Sequence, residues 1–207
     1  MNIIVKPYGS DLCYCRPDTT WERENKDFYS PECVNEIYWT PVVFARVSKA
    51  GKCVGRKFVE RYYDGIGCGM LMYCSTSGSE ENTDTTSIDI RSLSEVVDKS
   101  SILPHPLFQP VVLEDAKEFT VSATEARSGC NTDASVILSD SPVILSGAKD
   151  FLEEAICNAS QLTSLRIGDF VAVELATPAE LAKRENGEVT IKGTFCENEI
   201  FGFKIIF

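Results

Sequence analysis

The chain contains a single histidine, His105, in Leu103-Pro104-His105-Pro106-Leu107. An imidazole titrates near neutral pH and is the commonest general base, so His105 is a catalytic candidate by residue type. Its two flanking prolines bias the backbone toward extended or turn geometry, which places it in a loop. A base also needs a neighbour to orient it. None is identifiable beside His105, so a surface imidazole is the plainer reading. Ser146-Gly147-Ala148-Lys149 has the S-x-x-K spacing by which a helix presents a nucleophile and its amine on one face. No S-D-N or K-T-G element follows, and Ser146 reads as an N-cap rather than a nucleophile. Gly65-Ile66-Gly67-Cys68-Gly69 would let backbone N–H groups approach a phosphate. It follows an expected helix and enters an expected strand, the reverse of the order in nucleotide loops, so it reads as a helix stop and turn.

Nine cysteines raise the question of metal or disulfide chemistry. Cys13 and Cys15 alternate on an expected strand and point the same way, but no second pair completes a zinc set. The expected compartment disfavours disulfides, leaving the cysteines as small buried hydrophobes.

The elements that position these residues are mostly strands. Residues 42–48 put Val43, Ala45 and Val47 on one face and Phe44 and Arg46 on the other. Residues 119–123, 170–175, 189–192 and 200–207 carry the same β-branched and aromatic signature. The clearest helix starts near Ser146 and repeats apolar residues at Ala148, Phe151, Leu152, Ala155, Ile156 and Ala159. A shorter one is expected over residues 56–64, with Phe58 and Tyr62 four apart. Residues 75–89 are polar, nearly without apolar anchors, and read as an irregular loop. Strands that do not alternate regularly with helices argue against a doubly wound sheet. The expected class is α+β, mainly β, with two or three helices.

At 207 residues the chain suits one domain, 1–207, or one domain with a small appendage. No apolar run approaches the ~18 residues of a membrane helix. The apolar stretch Ile3-Ile4-Val5 is far shorter than the roughly 7–15 residues of a signal-peptide core. A cytoplasmic protein without membrane contact is expected. The net charge of −11 repels phosphate backbones, so no nucleic-acid partner is expected.

Four segments, read in order, carry a resemblance: Arg16-Pro17-Asp18-Thr19; Val42-Val43-Phe44-Ala45-Arg46-Val47-Ser48 with Gly51 as its turn; Phe58-Val59-Glu60-Arg61-Tyr62-Tyr63-Asp64-Gly65; and Arg166-Ile167-Gly168-Asp169-Phe170 leading to Ala176-Thr177-Pro178. They resemble the fumarylacetoacetate hydrolase family over most of the chain, as a single domain whose N-terminal part, about 1–37, is shortened. The resemblance implies a mixed β-sandwich roll like that family's C-terminal domain, built around a deep cleft, and a homodimer. It also implies a Mg²⁺- or Mn²⁺-dependent hydrolase centre held by two glutamates and an aspartate, with a histidine base in an N-Y-x-x-H stretch.

Aligned on those segments, the metal positions fall on Thr40, Val42 and Leu71, and residues 1–11 contain no histidine. Hard cations need oxygen ligands, usually carboxylates, and this set offers one neutral hydroxyl. No metal ligand and no cofactor are therefore expected; Mg²⁺ or Mn²⁺ would enter only with a relocated site. Glu36, Asp84, Asp89 and Glu174 are the carboxylates that could rebuild one. Glu174 is the preferred catalytic candidate beside His105, against a plain reading as a solvent-facing strand residue. Thr177 matches a family threonine that approaches substrate carboxylates. Arg16, matching a family lysine, could hold an anion bidentately or stay solvated at the surface. The expected function is a degenerate member that binds a small anionic ligand or a protein partner. The alternative is an active C–C bond hydrolase, decarboxylase or isomerase of the superfamily with a relocated site.

Overall fold

The computed structural model describes residues 1–76, 96–110, 118–126, 135–145 and 147–207. The expected loop at 75–89, including Asp84 and Asp89, lies almost wholly outside them, as does Ser146.

Among the described residues, thirteen strands form two sheets. β1 (Asn2–Lys6), β2 (Tyr14–Pro17), β3 (Trp21–Glu22), β5 (Glu36–Val47), β6 (Tyr63–Ser75), β7 (Ser101–Ile102), β10 (Phe170–Glu174) and β11 (Ala179–Lys183) belong to the first. Its order is β2-β1-β10-β5-β6-β7-β3, with β11 also on β5. The second runs β4-β13-β12-β8-β9, from β4 (Phe28–Tyr29), β13 (Asn198–Ile206), β12 (Glu188–Phe195), β8 (Glu118–Ala126) and β9 (Ser135–Ile144). Three pairings are parallel, β1 with β10, β3 with β7 and β4 with β13; the rest are antiparallel. The mainly β, mixed-sheet expectation holds.

The centre is the β5–β6 ladder, which pairs Glu36 with Ser75 at one end and Val47 with Tyr63 at the other. On its other edge β5 meets β10 along Val42 to Arg46 and β11 along Glu36 to Trp39. Pro41 falls between those two partners. A strand residue's N–H and C=O point to the same side. The Pro41 carbonyl accepts from the Leu175 N–H in this gap, so proline's missing donor breaks no ladder bond.

Two apolar clusters flank the first sheet. Val43, Ala45, Val171 and Val173 face α1 (Ala148–Leu162) and the inner face of the second sheet. The opposite face holds Val42, Phe44, Leu71, Tyr73, Phe170 and Ala172, as a period of two requires.

Three expectations are corrected. The segment 56–64 is a 3-10 helix over Arg56–Arg61, after which Tyr63 is already in β6. The governing spacing is three, with Tyr62 N–H donating to the Val59 carbonyl, and Val59 rather than the half-exposed Phe58 turns inward. Gly65-Ile66-Gly67-Cys68-Gly69 is mid-strand, not a turn. A Cβ at Gly67 would strike the Phe44 ring, and one at Gly69 the Ile102 carbonyl, so these glycines admit neighbouring elements. The third correction concerns α1. Its N-cap is Gly147, with φ of 75° and no side-chain cap, and Phe151 faces outward while Leu152, Ala155, Ile156 and Ala159 are buried.

Candidate functional site

Thr40, Val42 and Leu71 come together on one face of the first sheet, Thr40 directly opposite Leu71. All three are fully buried. Val42 and Leu71 pack with Phe44, Leu103 and Phe170. The Thr40 hydroxyl donates to the Ala176 carbonyl at 2.6 Å. That bond spans the gap between β10 and β11, giving the threonine a structural task.

Beside this apolar patch lies a buried polar chain. The Tyr73 hydroxyl donates to Glu174 Oε1 and lies 2.7 Å from the Tyr14 hydroxyl. Burial first, then the neighbouring Tyr14 and Glu174, push the Tyr73 phenol far above its ordinary pKa, against the opposing pull of Arg16, so it keeps its proton. Having one proton, and giving it to Glu174, Tyr73 accepts from Tyr14. Glu174 Oε2 accepts from the Tyr8 N–H at 3.0 Å. Arg16 is wholly buried, its guanidinium 4.7 Å from the Tyr73 ring centroid. It donates to the Ser100 carbonyl and hydroxyl, the Ser101 hydroxyl and the Met72 carbonyl at 3.1–3.3 Å. Burial opposes its charge, but Tyr14, Tyr73 and Glu174 outweigh burial and hold its pKa above the usual arginine value. Only Nε lacks a hydrogen-bond partner among the described residues.

These positions correct two readings. Glu174 is not solvent-facing: every residue of β10 is buried, because α1 covers one face and the aromatic cluster the other. Arg16 is not on the surface: its terminal N–H groups are directed to Ser100, Ser101 and Met72. Asp169, from the family-like Gly168-Asp169 pair, is also buried. It accepts from the Asn2 and Arg166 N–H groups, both at 2.9 Å, and so ties the turn before β10 to β1.

The other candidates are dispersed. His105 is exposed at the edge of the aromatic cluster, its ring 5.7 Å from that of Trp21. Burial, Arg23 and Arg46 lower its pKa. Thr177 is exposed in the turn between β10 and β11. Glu36 starts β5 and accepts from the Tyr38 hydroxyl at 3.0 Å. Lys149 pairs with Glu60 at 3.1 Å. The cysteines divide: Cys68, Cys74 and Cys157 are buried as expected, whereas Cys15, Cys33 and Cys53 are exposed. Among the described residues, no three His, Cys, Asp or Glu side chains converge as a metal site, and no helix is long and apolar enough to cross a membrane.

A cavity of about 530 Å³ opens on the helix side of the sheet, between the 7–11 loop, the first two turns of α1 and the end of β10. Lys6, Tyr8, Phe151, Glu154, Val173 and Glu174 contribute to its walls. Lys6, Tyr14 and Tyr73 escaped the sequence reading. Strand alternation held a signal for the last two, since Tyr14 shares a face with Arg16 and Tyr73 with Leu71.

No family model matches the sequence, and neither does any curated protein sequence. Solved structures do match its fold. A maleylpyruvate hydrolase from Sphingobium superposes with TM-score 0.66 at 13% identity, over 99% of this chain and 70% of that one. A fumarylpyruvate hydrolase from Pseudomonas aeruginosa, solved with Mn²⁺ and pyruvate, gives 0.64 at 12%, over 100% and 89%. A fumarylacetoacetate hydrolase family protein from Yersinia pestis gives 0.64 at 12%, over 99% and 92%. The chain has the fumarylacetoacetate hydrolase fold. The divalent ion that this fold family implies does not suit the residues at Thr40, Val42 and Leu71, which offer one neutral hydroxyl and no anionic oxygen.

Proposed function

We propose that this chain is a fumarylacetoacetate-hydrolase-fold protein without the divalent-metal hydrolase centre, which works by binding a small anionic molecule. The reading rests on the packing of Thr40, Val42 and Leu71. Three adjoining positions that would have to supply anionic oxygens instead supply a methyl-bearing hydroxyl and two aliphatic side chains, buried against Phe44 and Leu103. Hydrolysis through a metal-bound water needs both the ion and a base beside that water. His105, the one imidazole, sits against Trp21 instead. The rival reading, an active superfamily enzyme with a relocated centre, would draw on Glu174 and Tyr73, which are bonded to each other and to Tyr8 and Tyr14. A homodimer without nucleic-acid partners belongs to the same proposal.

Titration calorimetry with MgCl₂ and MnCl₂ tests it. The expected result is binding no tighter than about millimolar, together with no chelator-sensitive turnover of acylpyruvates. Micromolar metal binding, or turnover abolished by a chelator, would sink the proposal.

A further inference from the structure

Among the described residues, the cavity beside α1 is bordered by one cation, Lys6, and by three carboxylates, Asp11, Glu154 and Glu174. Their engagement differs. Both Glu174 oxygens accept hydrogen bonds from within the protein, and Asp11 stands in solvent. Lys6 is only 9% exposed. Its ammonium has three donors but, among the described residues, makes a single hydrogen bond, to Glu154 Oε1 at 3.1 Å. Glu154 is half exposed, its side chain 49% accessible. The pair is thus asymmetric: a nearly desolvated cation held by a carboxylate that can swing into water at little cost. Much of the remaining wall is carbon, from Pro7, Tyr8, Phe151, Val173 and Leu175, in a volume typical of small-molecule sites.

We propose that this cavity binds a small monocarboxylic acid with an apolar tail, its carboxylate replacing Glu154 on Lys6 Nζ and its tail lying along Phe151 and Val173. The inference rests on the reading of the chain as a binding protein and assigns that role a site. A buried ammonium gains a carboxylate that arrives with apolar surface of its own, while Glu154 regains its hydration. Glu154 therefore acts as an internal competitor, and removing its charge strengthens binding. That behaviour separates a ligand site from a purely structural ion pair.

The test uses hexanoate as probe, with hexylammonium as its cationic counterpart, by titration calorimetry at low salt on the full chain. Hexanoate should bind, hexylammonium more weakly. Glu154→Gln should tighten hexanoate roughly three- to tenfold, and Lys6→Met should weaken it by about tenfold or more. Because Lys6 is buried, its replacement could unfold the chain. Phe151→Glu provides the control: Phe151 is 53% exposed, and a carboxylate there should weaken hexanoate by about tenfold in a folded protein. Preference for hexylammonium, no hexanoate binding, or unchanged affinity in Glu154→Gln would overturn the proposal. None of these outcomes bears on the metal titration, so the two readings fail separately.

Discussion

Replacing Arg16 by Met should reveal how much of the fold depends on a buried charge. The guanidinium has no exposed surface, donates four hydrogen bonds to Ser100, Ser101 and Met72, and lies over the Tyr73 ring. Methionine fills similar space but offers none of these donors, and it leaves Glu174 without the nearby buried positive charge. Removing one partner of a buried charged set costs about 3–5 kcal/mol, a large share of the roughly 5–15 kcal/mol that holds a domain together. With a urea dependence toward the upper end of about 1–3 kcal/mol/M, the unfolding midpoint should fall by roughly 1–2 M. Adding Glu174→Gln removes the uncompensated negative charge. The double variant should then be more stable than additivity predicts, by about 1–3 kcal/mol. Urea denaturation followed by tyrosine and tryptophan fluorescence gives all four corners of the cycle. A loss below about 1 kcal/mol for Arg16→Met, or additivity within ~0.5 kcal/mol, would refute the argument that Arg16 and Glu174 compensate each other.

Gly69→Ala drives a Cβ into the Ile102 carbonyl, a backbone atom that cannot swing aside; it should cost more than about 2 kcal/mol, read as a lowered Tm, while Gly9→Ala, with open space around it but φ of 69°, should lose only about 1 kcal/mol. Burial, Arg23 and Arg46 depress the His105 pKa below its ordinary 6.5, so the unfolded chain binds the proton more readily. Stability should therefore rise with pH through the window just below 6.5 and level off above it. A His105→Asn variant whose stability changes with pH as steeply there as the parent's would contradict that assignment.

The β5 strand was legible in the sequence because alternation is a local signal, and residues 42–48 alternate cleanly up to Val47. The glycines of β6 were not. Glycine locally means turn, and the reason for it here lies in Phe44 and Ile102, which no nearby residue reveals. Glu174 shows a different failure. A charged residue on an alternating strand reads as solvent-facing only if one face is open, and β10 is covered on both. Its partners come from Tyr8 and Tyr73, 166 and 101 residues away. Thr40, Val42 and Leu71 could be placed by resemblance, and the β5–β6 register puts Thr40 beside Leu71. What occupies their surroundings could not be read from sequence, since Phe170 and Leu103 arrive from distant segments.

Both sheets join an early strand to a late one. β1 lies parallel to β10, Ile3 opposite Phe170, and β4 lies parallel to β13, Phe28 opposite Ile205. During synthesis at about 5–20 residues per second, the apolar Ile3-Ile4-Val5 strand waits on the order of ten seconds or more before its parallel partner is made. Until then it has only β2 beside it. The nascent chain thus carries an unpaired, sticky edge until β10 emerges. The two sheets can close only once the β10 and β13 segments have been made, so slower elongation lengthens the time that this edge stays open.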